Sequence, residues 1–293
     1  MAGSMKQLLG TAIRIAHADQ QGRIVTFDSA TFVPGFYEEM HQQADKDVVV
    51  AASYNGVLCA RMVARAKPKA VIGLDCAIGK DGAGIAGLWF YEALGIPSVA
   101  VDVQTAEMGN GADLLAEGVV SRVNEIAREM GLREGMTSQQ AAQIFLQAKP
   151  DTAVEGFADK ENRAVIYTNP QGRSIVCTDS IAFARPEDRE RNVLCTAGHT
   201  GRSVIDYIIN SRPWGFICSD GGIGKNESGL QALPVVNEAG IAGASVSALT
   251  ARMGDGHSTY FDGVISACNE LAKGKGVRPG QSAKEAALLL LNN

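Results

Sequence analysis

The sequence predicts an α/β protein made of two tandem homologous β/β/α halves with parallel sheets, related by a pseudo-twofold. Three observations carry this. The segment Val48–Ala142 returns without a gap as Val193–Ala287, 145 positions later, through Gly56/Gly201, Asp75/Asp220, Ile78-Gly79-Lys80/Ile223-Gly224-Lys225 and Gly109-Asn110-Gly111/Gly254-Asp255-Gly256. A period that long describes domain-sized copies and not solenoid units. Within each copy, short β-rich runs alternate with helical patterns, as in parallel α/β structure. Near-continuous apolar runs such as Trp214-Gly215-Phe216-Ile217-Cys218 predict strands covered on both faces.

In order, Asp47–Ala52 reads as a buried strand, Tyr54-Asn55-Gly56 as a turn, Val57–Ala66 as a helix and Ala70–Leu74 as a strand. A glycine loop carrying Lys80 leads to a helix over Ile85–Leu94 and a strand over Pro97–Val101. The loop Thr105–Gly111 precedes two helices, near Ala112–Met130 and Ser138–Ala148. The second copy repeats the order from Asn192–Thr196 onward. Before that core, Gly22–Ser29 matches Gly172–Ser180, and Arg163–Thr168, Asn169-Pro170-Gln171-Gly172 and Ser174–Thr178 read as a β-hairpin. The predicted division is a first repeat over 5–148, a polar linker over 149–162 and a second repeat over 163–293. Met1–Ser4 reads as an added leader before a natural Met5.

The strand, glycine loop, helix and Gly-Ile strand of Ala70–Val101, and again of Gly215–Val246, resemble the swivelling β/β/α domains. These include the phosphohistidine domains and the swivel domains of aconitase-like and class I fumarase-like hydro-lyases. The resemblance implies a swivelling-like fold for 60 to 70 residues of each half. Phosphohistidine domains place a His in the second loop. Here Lys80 and Lys225 stand in that loop, which argues against phosphoryl carriage.

Composition narrows the function classes. With 293 residues, 46% hydrophobic, 20% charged and a formal charge of −5, the chain reads as an ordinary soluble globular protein. Scattered Lys and Arg leave no footprint for nucleic acid, and no apolar run approaches a membrane span. Six cysteines without a CxxC pair or metal-finger spacing, three of them in apolar runs, favour a reducing, cytoplasmic home. A dinucleotide cofactor is not expected, because no GxGxxG follows a first strand.

Chemistry is expected where the strands end, in three loops per half. Lys80 and Lys225, in strand-to-helix glycine loops, are candidates to bind or polarise an anion, with Asp75 and Asp220 at the start of each loop. The alternative is a tight turn whose lysine pairs with a nearby aspartate. The histidines break the symmetry: His199 replaces Tyr54, and His257 replaces Ala112 beside Asp255, which replaces Asn110. Histidine titrates near neutrality, so His199 is the candidate acid/base. Tyr54, Asn55, Thr200, Arg202, Asp75, Asp255 and His257 are candidate substrate-binding residues. No resident metal is predicted, although His199, Asp220, Glu227, Asp255 and His257 could together offer ligands to a divalent ion. Ser219, Thr200, Ser53 and Cys76 are possible nucleophiles, without a GxSxG elbow. Asp28-Ser29 and Asp179-Ser180 recur at a strand end and read as hairpin-closing residues.

The expectation is an enzyme acting on a small polar metabolite (carboxylate, amide or cyclic amide), of hydrolase or lyase type. His199, Lys225, Lys80 and Asp220 carry the chemistry in a cleft between the repeats. The alternative is a non-catalytic small-molecule binder or assembly subunit using the same loops. A homo-oligomer is also expected.

Overall fold

The computed structural model describes residues 10–149 and 161–293. The expected leader and nearly all of the expected linker therefore lie outside the described residues. The chain divides into two compact units. The first takes the described residues up to Cys76, those from Gly84 to 149, and Gly224–Asn226. The second takes Ala77–Ala83, residues 161 to Ile223, and Glu227–Asn293. Each unit thus includes the lysine loop from the other half of the sequence.

The first unit runs β1 (Ile13–Ala18), β2 (Arg23–Phe27), α1 (Phe32–Glu39), β3 (Asp47–Tyr54), α2 (Val57–Ala64), β4 (Ala70–Leu74), α3 (Gly87–Ala93), β5 (Ser98–Val101), α4 (Gly111–Glu117), β6 (Val120–Val123), α5 (Glu125–Glu129) and α6 (Ser138–Phe145). Its six strands lie in sequential order; β2 to β5 are parallel, and β1 and β6 pair antiparallel at the two edges. Because the order never reverses, crossovers of one hand put α1, α2 and α3 on one face. There Phe36, Tyr37, Val63 and Tyr91 pack on Val25, Phe27, Val49 and Val71. The alternate strand residues Val48, Val50 and Ile72 are equally buried, and α4 and α6 pack on the sheet as well.

The second unit runs β7 (Arg163–Thr168), β8 (Ser174–Thr178), β9 (Val193–His199), α7 (Ile205–Ser211), β10 (Gly215–Ser219), α8 (Ala232–Glu238), β11 (Ala242–Val246), α9 (Gly256–Asp262), β12 (Ile265–Cys268), α10 (Glu270–Gly274) and α11 (Ala283–Asn292). Strand order and directions repeat those of the first sheet. On one face Ile208, Leu233 and Val236 meet Val176, Leu194 and Phe216. On the other, Tyr260, Leu290 and Leu291 meet Ile175, Cys195 and Ile217. Near-continuous apolar strands are thus explained by helices on both faces.

The β7–β8 hairpin has a local cause: the Asn169 side chain accepts from the backbone N–H groups of Gln171 and Arg173 at 3.1 and 2.9 Å. The expected helix over Ala112–Met130 is corrected. It stops at Gly118, whose backbone is extended, and the segment Val120–Val123 behind it forms β6. A hairpin also opens the first unit, where Ile13–Ala18 pairs with Arg23–Phe27.

Candidate functional site

The two lysine loops share an unusual backbone. Cys76, Ala77, Ile78 and Gly79 all have positive φ (46, 57, 66 and 72°), as do Gly221, Gly222, Ile223 and Gly224 (60, 81, 65 and 71°). Four successive left-handed residues are costly for side chains with a Cβ, and most of all for isoleucine. What offsets the strain is docking of the loop that follows. Lys80 N–H donates to Ala248 O at 2.8 Å, and its ammonium pairs with Asp262 at 2.9 Å, all in the second unit. Lys225 N–H donates to Val103 O at 2.9 Å, and its ammonium pairs with Asp113 at 2.9 Å, all in the first. The Asp113 hydrogen bond raises the Lys225 pKa, while Ser258 first and Lys80 next lower that of Asp262. Both ammonium groups expected to cradle an anion are therefore spent on carboxylates.

The paired aspartates have different surroundings. Asp75 uses both oxygens: Oδ1 accepts from Val103 N–H at 3.1 Å and Oδ2 from the Ser121 hydroxyl at 2.8 Å. Asp220 accepts twice on Oδ1, from Gly222 and Ala248 N–H, both at 2.9 Å. Ser121 also donates to Ala100 O at 3.2 Å; its counterpart Ser266 keeps only the equivalent bond, to Ser245 O at 3.2 Å. Asp220 Oδ2 is left without a hydrogen-bond partner among the described residues, on a residue only 3% exposed.

His199 ends β9 and faces Ser219 across the ladder, one residue before Asp220. Its side chain is buried. Gly201 N–H donates to Nδ1 at 3.0 Å, so in the neutral ring the proton sits on Nε2. Nε2 has no partner among the described residues. Burial alone pushes the pKa down to about 4, so the ring is neutral at physiological pH. This corrects the idea of a histidine titrating near neutrality: the group on offer is a neutral N–H donor. Gly201 has no room for a side chain, since a Cβ would sit 2.9 Å from both His199 Nδ1 and Ser228 O.

The remaining candidates have the following surroundings. Tyr54 and Asn55 are buried; the Asn55 amide donates to Val99 O and Ser98 Oγ. Thr200 is fully buried, and its hydroxyl donates to Ser219 O at 2.9 Å. Arg202 starts a short 3-10 turn ahead of α7. Asp255 caps α9 by accepting from Ser258 N–H at 3.0 Å and pairs with Arg252, while exposed His257 stacks on Phe261. Asp28 and Asp179, read as hairpin closers, instead accept from the first amides of α4 and α9, Gly111 at 2.9 Å and Gly256 at 3.1 Å. Among the described residues no three His, Cys, Asp or Glu side chains converge as metal ligands.

The sequence reading missed a layer. Thr178, Thr196, Cys218 and Ser245 are neighbours across β8 to β11, and Thr196 Oγ1 lies 3.1 Å from Cys218 Sγ. In the first sheet the same layer is Phe27, Ala51, Gly73 and Ala100. Position-by-position comparison of the copies would have exposed this apolar-to-polar change. A groove of about 860 Å³ in the first unit, lined by Ala16, His17, Leu115, Gln140 and Gln143 among others, includes none of the sequence-predicted residues.

No family model, no curated protein and no solved structure matches this chain.

Proposed function

We propose that the chain is an enzyme of hydrolase or lyase type acting on a small polar carbonyl compound: a carboxylate, amide or cyclic amide. The observation that carries this reading is a pair of polar atoms without a partner among the described residues, at the strand ends of the second unit and on two nearly buried residues: His199 Nε2–H and Asp220 Oδ2. Neither atom is among the fully buried polar atoms that lack a partner, so both are open to a ligand that accepts at one end and donates at the other. A neutral imidazole N–H polarises a carbonyl oxygen without carrying charge into the fold. A carboxylate with a free oxygen takes the proton from the substrate or from an attacking water. In this account Lys80 and Lys225 secure their loops, and His199 and Asp220 act on the substrate.

The matching strand order of the two sheets supports descent from one duplicated unit, and the polar differences of the second support its specialisation. Exposed Trp89, Leu249 and Phe261 support self-association, and free cysteines suit a cytoplasmic setting. Among the described residues no helix is long and apolar enough to cross a membrane. The competing reading, a non-catalytic binder, draws on the ion-paired state of both lysines.

The test is turnover of a panel of hydroxy acids, amides and cyclic amides by wild type, His199→Gln and Asp220→Asn. A substrate whose kcat/KM falls about 100-fold or more in each variant is the expected result. Binding without turnover in wild type would favour the binder.

A further inference from the structure

We propose that Ser245, on the strand beyond β10, is a positioning residue that holds His199 in its single tautomer through Thr200; this rests on the reading of His199 as a donor to substrate. Thr200 lies between His199 and Gly201, the residue whose N–H fixes Nδ1. Its N–H and its hydroxyl both donate to Ser219 O at 2.9 Å, and its carbonyl accepts from Ala232 N–H at 3.0 Å. The Thr200 hydroxyl in turn accepts from Ser245 Oγ at 2.8 Å. Ser245 is fully buried and Thr200 is too, so this link runs where no water competes for it.

The first unit shows that the fold does not need this link. Ala100 stands where Ser245 does, and Asn55, in place of Thr200, ties its turn to Val99 O and Ser98 Oγ. Burying a hydroxyl costs free energy unless it is bonded, and an alanine at this layer packs without that cost. The hydroxyl of Ser245 is therefore unnecessary for packing a sheet of this kind. What it does contact is the residue that sets the spacing between the His199 ring and the Gly201 amide. Deleting it leaves the Thr200 hydroxyl held by Ser219 O alone and loosens the His199–Gly201 turn.

The readout is the protonation pattern of the imidazole nitrogens by 15N NMR, which is tractable with four histidines in the chain. Wild type at pH 7 shows Nε2 protonated and Nδ1 bare at His199. Ser245→Ala lowers the ratio of the Nε2–H to the Nδ1–H form about five-fold, the effect of losing one ordinary hydrogen bond. Ser245→Thr, which keeps the hydroxyl, restores the wild-type ratio. Thr200→Val removes the same link at its other end, together with the bond to Ser219 O, and carries the test if Ser245→Ala does not fold. An unchanged ratio in folded Ser245→Ala or Thr200→Val overturns the positioning role. Because the tautomer is read without substrate, that failure is separate from failure of the enzymatic reading, which shows as absence of turnover across the panel.

Discussion

His199 illustrates how one buried ring couples acidity to folding. In the unfolded chain an imidazole titrates near 6.5, and in the fold burial lowers this to about 4. Between those values the unfolded state binds the extra proton, so stability is full above about pH 6.5 and declines as the pH falls towards 4. The loss amounts to about 3 kcal/mol. Denaturant melts of wild type and His199→Gln from pH 7 to pH 4 check this: the variant lacks that part of the slope, whereas parallel curves contradict it. Gly201→Ala is expected to destabilise by about 1–3 kcal/mol, because one of the two atoms crowding the new Cβ, Ser228 O, is backbone and cannot swing aside. At this scale the sequence was half legible. His199 stood out because its counterpart is Tyr54. The open oxygen of Asp220 did not, because Asp75 is the same residue type and the difference is that the Ser121 hydroxyl also reaches Asp75 while that of Ser266 bonds only the equivalent carbonyl.

Among the elements, the hairpin β7–β8 and strands β4 and β10 could be read directly from turn chemistry and apolar runs. The edge strands β6 and β12 could not, because four-residue strands behind short helices leave no period to count. The left-handed turns were hidden for a different reason. Cys76, Ala77 and Ile78 carry side chains that disfavour positive φ, and only Gly221-Gly222 in the second copy hints at the backbone both loops adopt. Ile223→Gly should therefore stabilise the protein by roughly 1 kcal/mol, since the side chain is 43% exposed and its backbone strain is removed. A lower midpoint in chemical denaturation would show instead that Ile223 packing outweighs the strain.

For the whole molecule, the α/β class was legible because both sheets obey the alternation of strands and helices. Two mostly parallel sheets, each in sequential order, have no strand-order reversal and hence no switch-point crevice to mark a ligand site. Charge pairing was less legible, because the carboxylates that meet Lys80 and Lys225 come from the opposite half of the sequence. These pairs are partly exposed, so a double-mutant cycle on Lys225→Met and Asp113→Asn is expected to give a coupling below about 1 kcal/mol. Loss of turnover on breaking that pair, with the fold intact, would return Lys225 to the chemistry.

The most direct test of the account is the side-by-side turnover of the carbonyl panel by wild type, His199→Gln and Asp220→Asn. The account predicts that a compound processed by wild type loses about 100-fold or more of kcat/KM in each variant while both variants remain folded. Undiminished turnover in either folded variant would contradict it.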